Sequence, residues 1–114
     1  MKPLIIDALA VGKGRRIATR DVIGAGPRSI AGILEDEGIE PKIVTAEKIL
    51  KKPGQSNNYD LALISGMTSD LPTIQRITRQ WRKNNKGPVI LGGPVCSEPV
   101  RALEKTRAQV AVVG

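Results

Sequence analysis

At 114 residues the chain is long enough for one domain and too short for two, and 18 Lys plus Arg against 11 Asp plus Glu leave a formal charge of +7. Hydrophobic residues make up 40%, but Phe is absent and Trp81 and Tyr59 are the only aromatics, so one small core must be built from Ile, Leu, Val and Ala. With no histidine and a single cysteine, Cys96, the sequence excludes a histidine base, an imidazole metal ligand, an internal disulfide, a zinc ribbon and a cysteine-bound iron–sulfur cluster of its own.

Leu4-Ile5-Ile6-Asp7-Ala8-Leu9-Ala10 reads as a first buried strand. Asp7 lies inside that apolar run, so its carboxylate is expected to cap a neighbouring backbone or to sit at the strand's end. Gly26-Pro27 opens a helix with Ile30, Ile33 and Leu34 on one stripe, and Gly38 supplies its stop. Lys42 to Thr45 is a short second strand, residues 46–52 a brief basic helix, and Pro53 to Asn58 a turn-rich loop. Leu61 to Ser65 is a third strand, fully apolar until its end.

A longer helix is expected from Asp70 to Asn84, with Ile74, Ile77, Thr78 and Trp81 on one face and Gln75, Arg76, Arg79, Arg82 and Lys83 on the other. Pro72 is tolerated because it falls in the first turn. Pro88 to Leu91 is the fourth strand, Ser97 is placed to cap a short helix with Pro99 in its first turn, and Val110 to Val113 is the fifth. Strands apolar on both faces that alternate with helices give an α/β class. The expected architecture is a parallel sheet covered by helices on both sides. The sequence stops at Gly114, directly after strand five, where such a domain carries one more covering helix; the expectation is the first part of a longer protein.

In such a sheet ligands bind beyond the carboxyl ends of the strands. Those ends are rich in small residues: Ser65-Gly66-Met67-Thr68-Ser69-Asp70 after strand three, Gly92-Gly93-Pro94 after strand four, Gly114 after strand five. Glycines let a planar ligand approach the backbone, and hydroxyls can bond its polar edge. A single such glycine is ordinary turn chemistry; three successive strand ends favour a site. A dinucleotide fingerprint fails because Gly24-Ala25-Gly26 comes too late and Ser29 replaces the third glycine. No phosphate-gripping GxxxxGK[ST] run occurs, and a receiver domain would need Asp where Ser65 stands. Cys96 and Met67 are read as packing residues rather than ligands.

The run from Asp21 to Gly32 (DVIGAGPRSIAG), then Ser65 to Leu71, then Gly92-Gly93-Pro94, then Val112-Val113-Gly114 resembles the N-terminal cobalamin-binding domain of radical S-adenosylmethionine proteins, over nearly the whole chain. The resemblance implies residues 1–114 as a single cobalamin module, a three-layer α/β domain of Rossmann-like or flavodoxin-like type with the parallel sheet in the order 2-1-3-4-5. Its partner is then an absent C-terminal radical domain that carries S-adenosylmethionine and an iron–sulfur cluster on CxxxCxxC. In that reading Ser65, Gly66, Met67, Thr68 and Ser69 line the nucleotide tail and corrin edge. Gly92, Gly93 and Pro94 pack against tail or ring, Gly114 allows close approach, and Arg20 and Asp21 face the same end. The chain itself holds no catalytic residue and no protein metal ligand. The related mutase branch supplies a cobalt-ligating histidine from a DxHxxG loop; with no histidine here, the lower cobalt face is left to water, to nothing or to another group.

The alternative is a basic nucleic-acid or protein interaction module on the same fold without corrinoid. Lys and Arg gather at 13–16, 51–52 and 76–86, but Trp81 falls on an apolar stripe rather than on a stacking platform. An uncovered fifth strand would favour a homodimer. No apolar run reaches the roughly 18–20 residues of a membrane span and no signal peptide is visible, so a cytoplasmic protein without membrane contact is expected.

Overall fold

The apolar segments pair into one all-parallel sheet in a computed structural model, which describes residues 2–8, 32, 34–40, 42–84 and 87–112. The strands are β1 (Pro3–Asp7), β2 (Lys42–Thr45), β3 (Leu61–Ser65), β4 (Val89–Gly92) and β5 (Val110–Ala111), in the order β2-β1-β3-β4-β5. Register aligns Ile6 with Val44 and Ile64, and Ile64 with Leu91. One rung further on, Thr45, Asp7, Ser65 and Gly92 form the last row of the sheet.

Parallel neighbours require crossovers, and helices supply them: α1 (Ala46–Lys51), α2 (Leu71–Asn84) and α3 (Pro99–Thr106). α2 packs between α1 and α3. Alternation along the strands sends Leu4, Ile6, Val44, Ala62, Ile64, Val89 and Leu91 toward these helices, where they meet Ile49, Ile74, Ile77, Trp81 and Ala102 in one core. Ile5 points to the other face and is also fully buried.

The 3.6-residue period explains α2. Ile74, Ile77, Thr78 and Trp81 are buried, while Arg76, Arg79, Arg82 and Lys83 are exposed. Full burial of such a side chain is worth about 1.5–3 kcal/mol. The indole N–H of Trp81 donates to the Gly87 carbonyl at 2.9 Å and ties the end of α2 to the approach of β4. Residues 34–36 are helical, and Gly38 ends that turn at φ +77°, the left-handed conformation expected of a helix stop. Ile30, Ile33 and the rest of the 9–31 segment, with Arg20 and Asp21, lie outside the described residues.

Five local expectations change. Pro53–Asn58 is a 3₁₀ helix rather than a loop, because Pro53 presets its first turn and Ser56 is buried beneath it. Asp70 belongs to a 3₁₀ turn, Thr68–Asp70, and α2 starts at Leu71. Ser97 does not cap α3: it closes a 3₁₀ turn, Pro94–Ser97, and Glu98 takes the cap position without a side-chain bond. Within the described residues β5 extends only over Val110–Ala111, and Pro88 precedes β4.

Candidate functional site

The carboxyl ends of β1, β3 and β4 form a continuous rim because the hydrogen-bond ladder runs past the strands. Ala8 N–H donates to Ser65 O at 2.8 Å, Gly66 N–H to Gly92 O at 3.3 Å, and Val95 N–H to Gly66 O at 3.0 Å. The two connections that leave β3 and β4 are therefore bonded to each other, not merely adjacent.

Asp70 shapes the first connection. Its side chain is fully buried, and Oδ2 accepts from Met67 N–H at 2.9 Å while its own N–H donates to Met67 O, also at 2.9 Å. This reciprocal bond folds residues 67–70 into a tight turn and leaves Met67, Thr68 and Ser69 exposed. Met67 is 42% exposed, so it is not a packing residue in the fold, contrary to the sequence expectation. Gly93 shapes the second connection. It adopts φ +87° and ψ −172°, a region open essentially to glycine, and a Cβ there would lie 3.0 Å from Gly66 O and 3.2 Å from Ser65 Oγ.

The glycines differ in direction. At Gly66 a Cβ would press on Ile74 Cδ1 at 3.0 Å and Ala8 Cβ at 3.1 Å, so this glycine serves the packing under the rim. At Gly92 nothing lies within 4 Å of a Cβ, so its backbone faces open space. The rim thus presents Gly92, Gly93, Pro94, Met67 and the hydroxyls of Thr68 and Ser69 outward, with Ser65 half-buried between them and Gly66 buried below. Gly114 lies outside the described residues. Beside the rim, a cleft of about 70 Å³ is lined by Thr68, Leu71, Val95, Ser97, Glu98, Arg101 and Ala102.

Cys96 lies just behind the rim and is buried, as a structural cysteine would be. Burial pushes its thiol pKa up, partly offset by a hydrogen bond to the Val112 backbone, so it stays protonated at neutral pH. Among the described residues no group of three or more carboxylate or thiol side chains is placed to hold a metal ion, and no helix is long and apolar enough to cross a membrane. Among the described residues this arrangement offers a small-residue surface with the hydroxyls of Ser65, Thr68 and Ser69 as hydrogen-bond partners.

Sequence reasoning did not find Asp70 as the organiser of the rim; the DL pair after Ser69 signalled only a helix start. It also did not find a basic groove between α2 and α3, because two of its cations, Lys105 and Arg107, come from a different segment than the Arg79 and Arg82 that face them.

No protein-family model matches the chain. It is 45% identical over its full length to an uncharacterized protein of Methanocaldococcus jannaschii, and 42% identical over 113 residues to one of Methanopyrus kandleri. The chain spans only about a fifth of those relatives, 22% and 21% of their lengths. Among solved structures it is similar, with a TM-score of 0.70 at 17% identity, to the radical S-adenosylmethionine methyltransferase TsrM of Kitasatospora setae, solved with cobalamin and a 4Fe–4S cluster bound. That likeness covers 100% of this chain and 22% of TsrM, and it establishes a Rossmann-like α/β fold of the kind TsrM contains.

Proposed function

We propose that the chain is a cobalamin-binding module of a longer radical S-adenosylmethionine protein and holds the corrinoid on the rim beyond β3 and β4. The observation that carries this reading is the match of the whole chain to part of an enzyme solved with cobalamin bound. The share of length is in keeping: this chain corresponds to about a fifth of TsrM and about a fifth of each archaeal relative.

The residues fit the group. A corrinoid is a broad, rigid plane edged with amides. The rim offers an open backbone face at Gly92, no bulky side chain at Gly93, and the hydroxyls of Thr68 and Ser69 as partners for those amides. The chain has no histidine, and its rim residues would hold the group by packing and hydrogen bonds. Cobalamin bound there supplies a cobalt centre that can carry a methyl group. The chain's own part is to bind, orient and expose it. Any radical chemistry belongs to a partner domain.

Equilibrium dialysis of the 114-residue chain against hydroxocobalamin tests the reading. Retention with a shift of the visible spectrum is expected, and affinity is expected to be micromolar or weaker because a partner domain would complete the enclosure. No retention at a protein concentration of several hundred micromolar overturns it.

A further inference from the structure

From the charges and geometry of the helical layer we infer that the groove between α2 and α3 is a docking surface for the phosphodiester backbone of a nucleic-acid duplex. Gln75, Arg79 and Arg82 occupy one stripe of α2 at the i, i+4, i+7 spacing of a helix face, and Lys105 and Arg107 face them from the end of α3. Together they line an open groove of about 380 Å³.

The groove is held in shape. Gln75 Nε2 donates to Lys105 O at 3.1 Å, and one Arg82 terminal nitrogen donates to Thr106 O at 3.0 Å and to Arg107 O at 3.4 Å, so two α2 side chains clamp the carbonyl end of α3. The other two guanidinium nitrogens of Arg82 make no hydrogen bond among the described residues, so their N–H groups can serve a ligand. Arg107 ends α3 at φ 59°, a left-handed position where glycine is the cheaper residue, and so adds a fourth cation where none is needed for the turn. Among the described residues no ion pair joins Arg79, Arg82, Lys105 or Arg107 to a carboxylate. Four like charges gathered without neutralisation raise a local positive potential that an anionic partner relieves.

The chemistry of the partner follows from what else the groove lacks. It has no apolar or aromatic anchor of the kind that carries protein–protein affinity. It has no stacking platform for single strands either, since Trp81 is buried and Tyr59 packs against the core. A row of guanidinium and ammonium groups suits phosphates, whose binding is set by charge and spacing. The groove lies toward the end of α2 and α3, whereas the corrinoid rim lies where these helices begin, so the two surfaces do not overlap.

Fluorescence anisotropy of the 114-residue chain with a labelled RNA duplex, a labelled DNA duplex and labelled poly-glutamate, across a salt series, decides the matter. The groove variant is Arg79→Gln, Lys105→Gln, Arg107→Gly; the control is Lys42→Gln, Lys48→Gln, Lys52→Gln, which removes the same charge from exposed sites elsewhere. Arg82 is kept because it clamps α3, and glycine suits the backbone at 107. The groove variant should lower the slope of log affinity against log salt by about 2.7, three contacts at about 0.9 each, and weaken duplex binding on the order of 10²-fold at about 0.1 M salt. The control should change affinity by less than about a tenth of that. Binding of either duplex in this pattern supports the inference, and the RNA-to-DNA ratio names the source. Equal losses in the two variants, binding of poly-glutamate as tight as duplex, or no duplex binding by the parent chain each overturn it.

Discussion

Two glycines joined by one hydrogen bond should respond to substitution in opposite ways. Gly66 N–H donates to Gly92 O, so the residues are neighbours across β3 and β4, yet one faces the core and the other faces solvent. In Gly66→Ala the new methyl meets Ile74 Cδ1 at 3.0 Å, Ala8 Cβ at 3.1 Å and Asp70 Cβ at 3.4 Å, all inside the 3.5–4.0 Å at which carbon contacts become favourable. Two of those neighbours are Cβ atoms fixed to backbone and cannot rotate away. Overpacking of this sort costs about 1–3 kcal/mol, which for a domain of this size lowers the melting temperature by roughly 4–12 °C. In Gly92→Val the side chain enters open space, at a strand position that favours β-branched residues, so stability should stay within about 0.5 kcal/mol of the parent. The same valine stands where the proposed corrinoid plane would lie, so cobalamin retention should fall at least about tenfold, equivalent to 1.4 kcal/mol. Thermal melts followed through Trp81 fluorescence, run beside dialysis, read both quantities. A Gly66→Ala protein that melts within about 1 °C of the parent refutes the packing account. A folded Gly92→Val protein that retains cobalamin as well as the parent refutes the site.

Trp81→Phe removes the donor to the Gly87 carbonyl while keeping a ring in the core, and a loss of about 1–3 kcal/mol is expected by urea titration; a change under about 0.5 kcal/mol would mean that water replaces the bond. For Cys96 the folded pKa is raised above the unfolded one, so its contribution to stability is complete below the unfolded value of about 8.5 and declines as pH rises through it. Melts between pH 7 and 10 should show this decline in the parent and a smaller one in Cys96→Ala; identical profiles would refute a desolvated thiol. Native chain should accordingly react with a thiol reagent only at the rate of unfolding, and fast stoichiometric labelling would contradict burial of Cys96.

Where one force dominates, the sequence was a sufficient guide. The limits of β2 and β3 follow from apolar runs closed by polar or turn residues, and the buried face of α2 follows from Ile74, Ile77, Thr78 and Trp81 at helical spacing. That the sheet is parallel followed from the alternation of strands with helices. The misreadings come from competition between adjacent signals. Ser97 is a good capping residue, but Pro94 three positions earlier starts a 3₁₀ turn that takes it up. At the rim, letters alone do not say which way a missing side chain would have pointed. Gly66 and Gly92 read as equivalent strand-end glycines, and only the packing of Ile74 and Ala8 separates an inward glycine from an outward one. Asp70 was legible as a helix start, not as the carboxylate that holds the Met67 turn, because that role depends on its burial.

The bonds that carry the ladder beyond the strands, from Ala8 to Ser65, Gly66 to Gly92 and Val95 to Gly66, make the rim part of the same cooperative unit as the sheet. A recognition surface made from independent loops can be loosened or tightened one loop at a time, with the core untouched. Here the connections after β3 and β4 share backbone partners, so freeing one releases an acceptor of the other and frays the adjoining strand ends. Evolution acting on this surface would find affinity and global stability coupled: changes of exposed side chains such as Thr68 and Ser69 remain cheap, while changes of loop length or backbone course do not. The surface would therefore diversify by side-chain chemistry on a fixed outline.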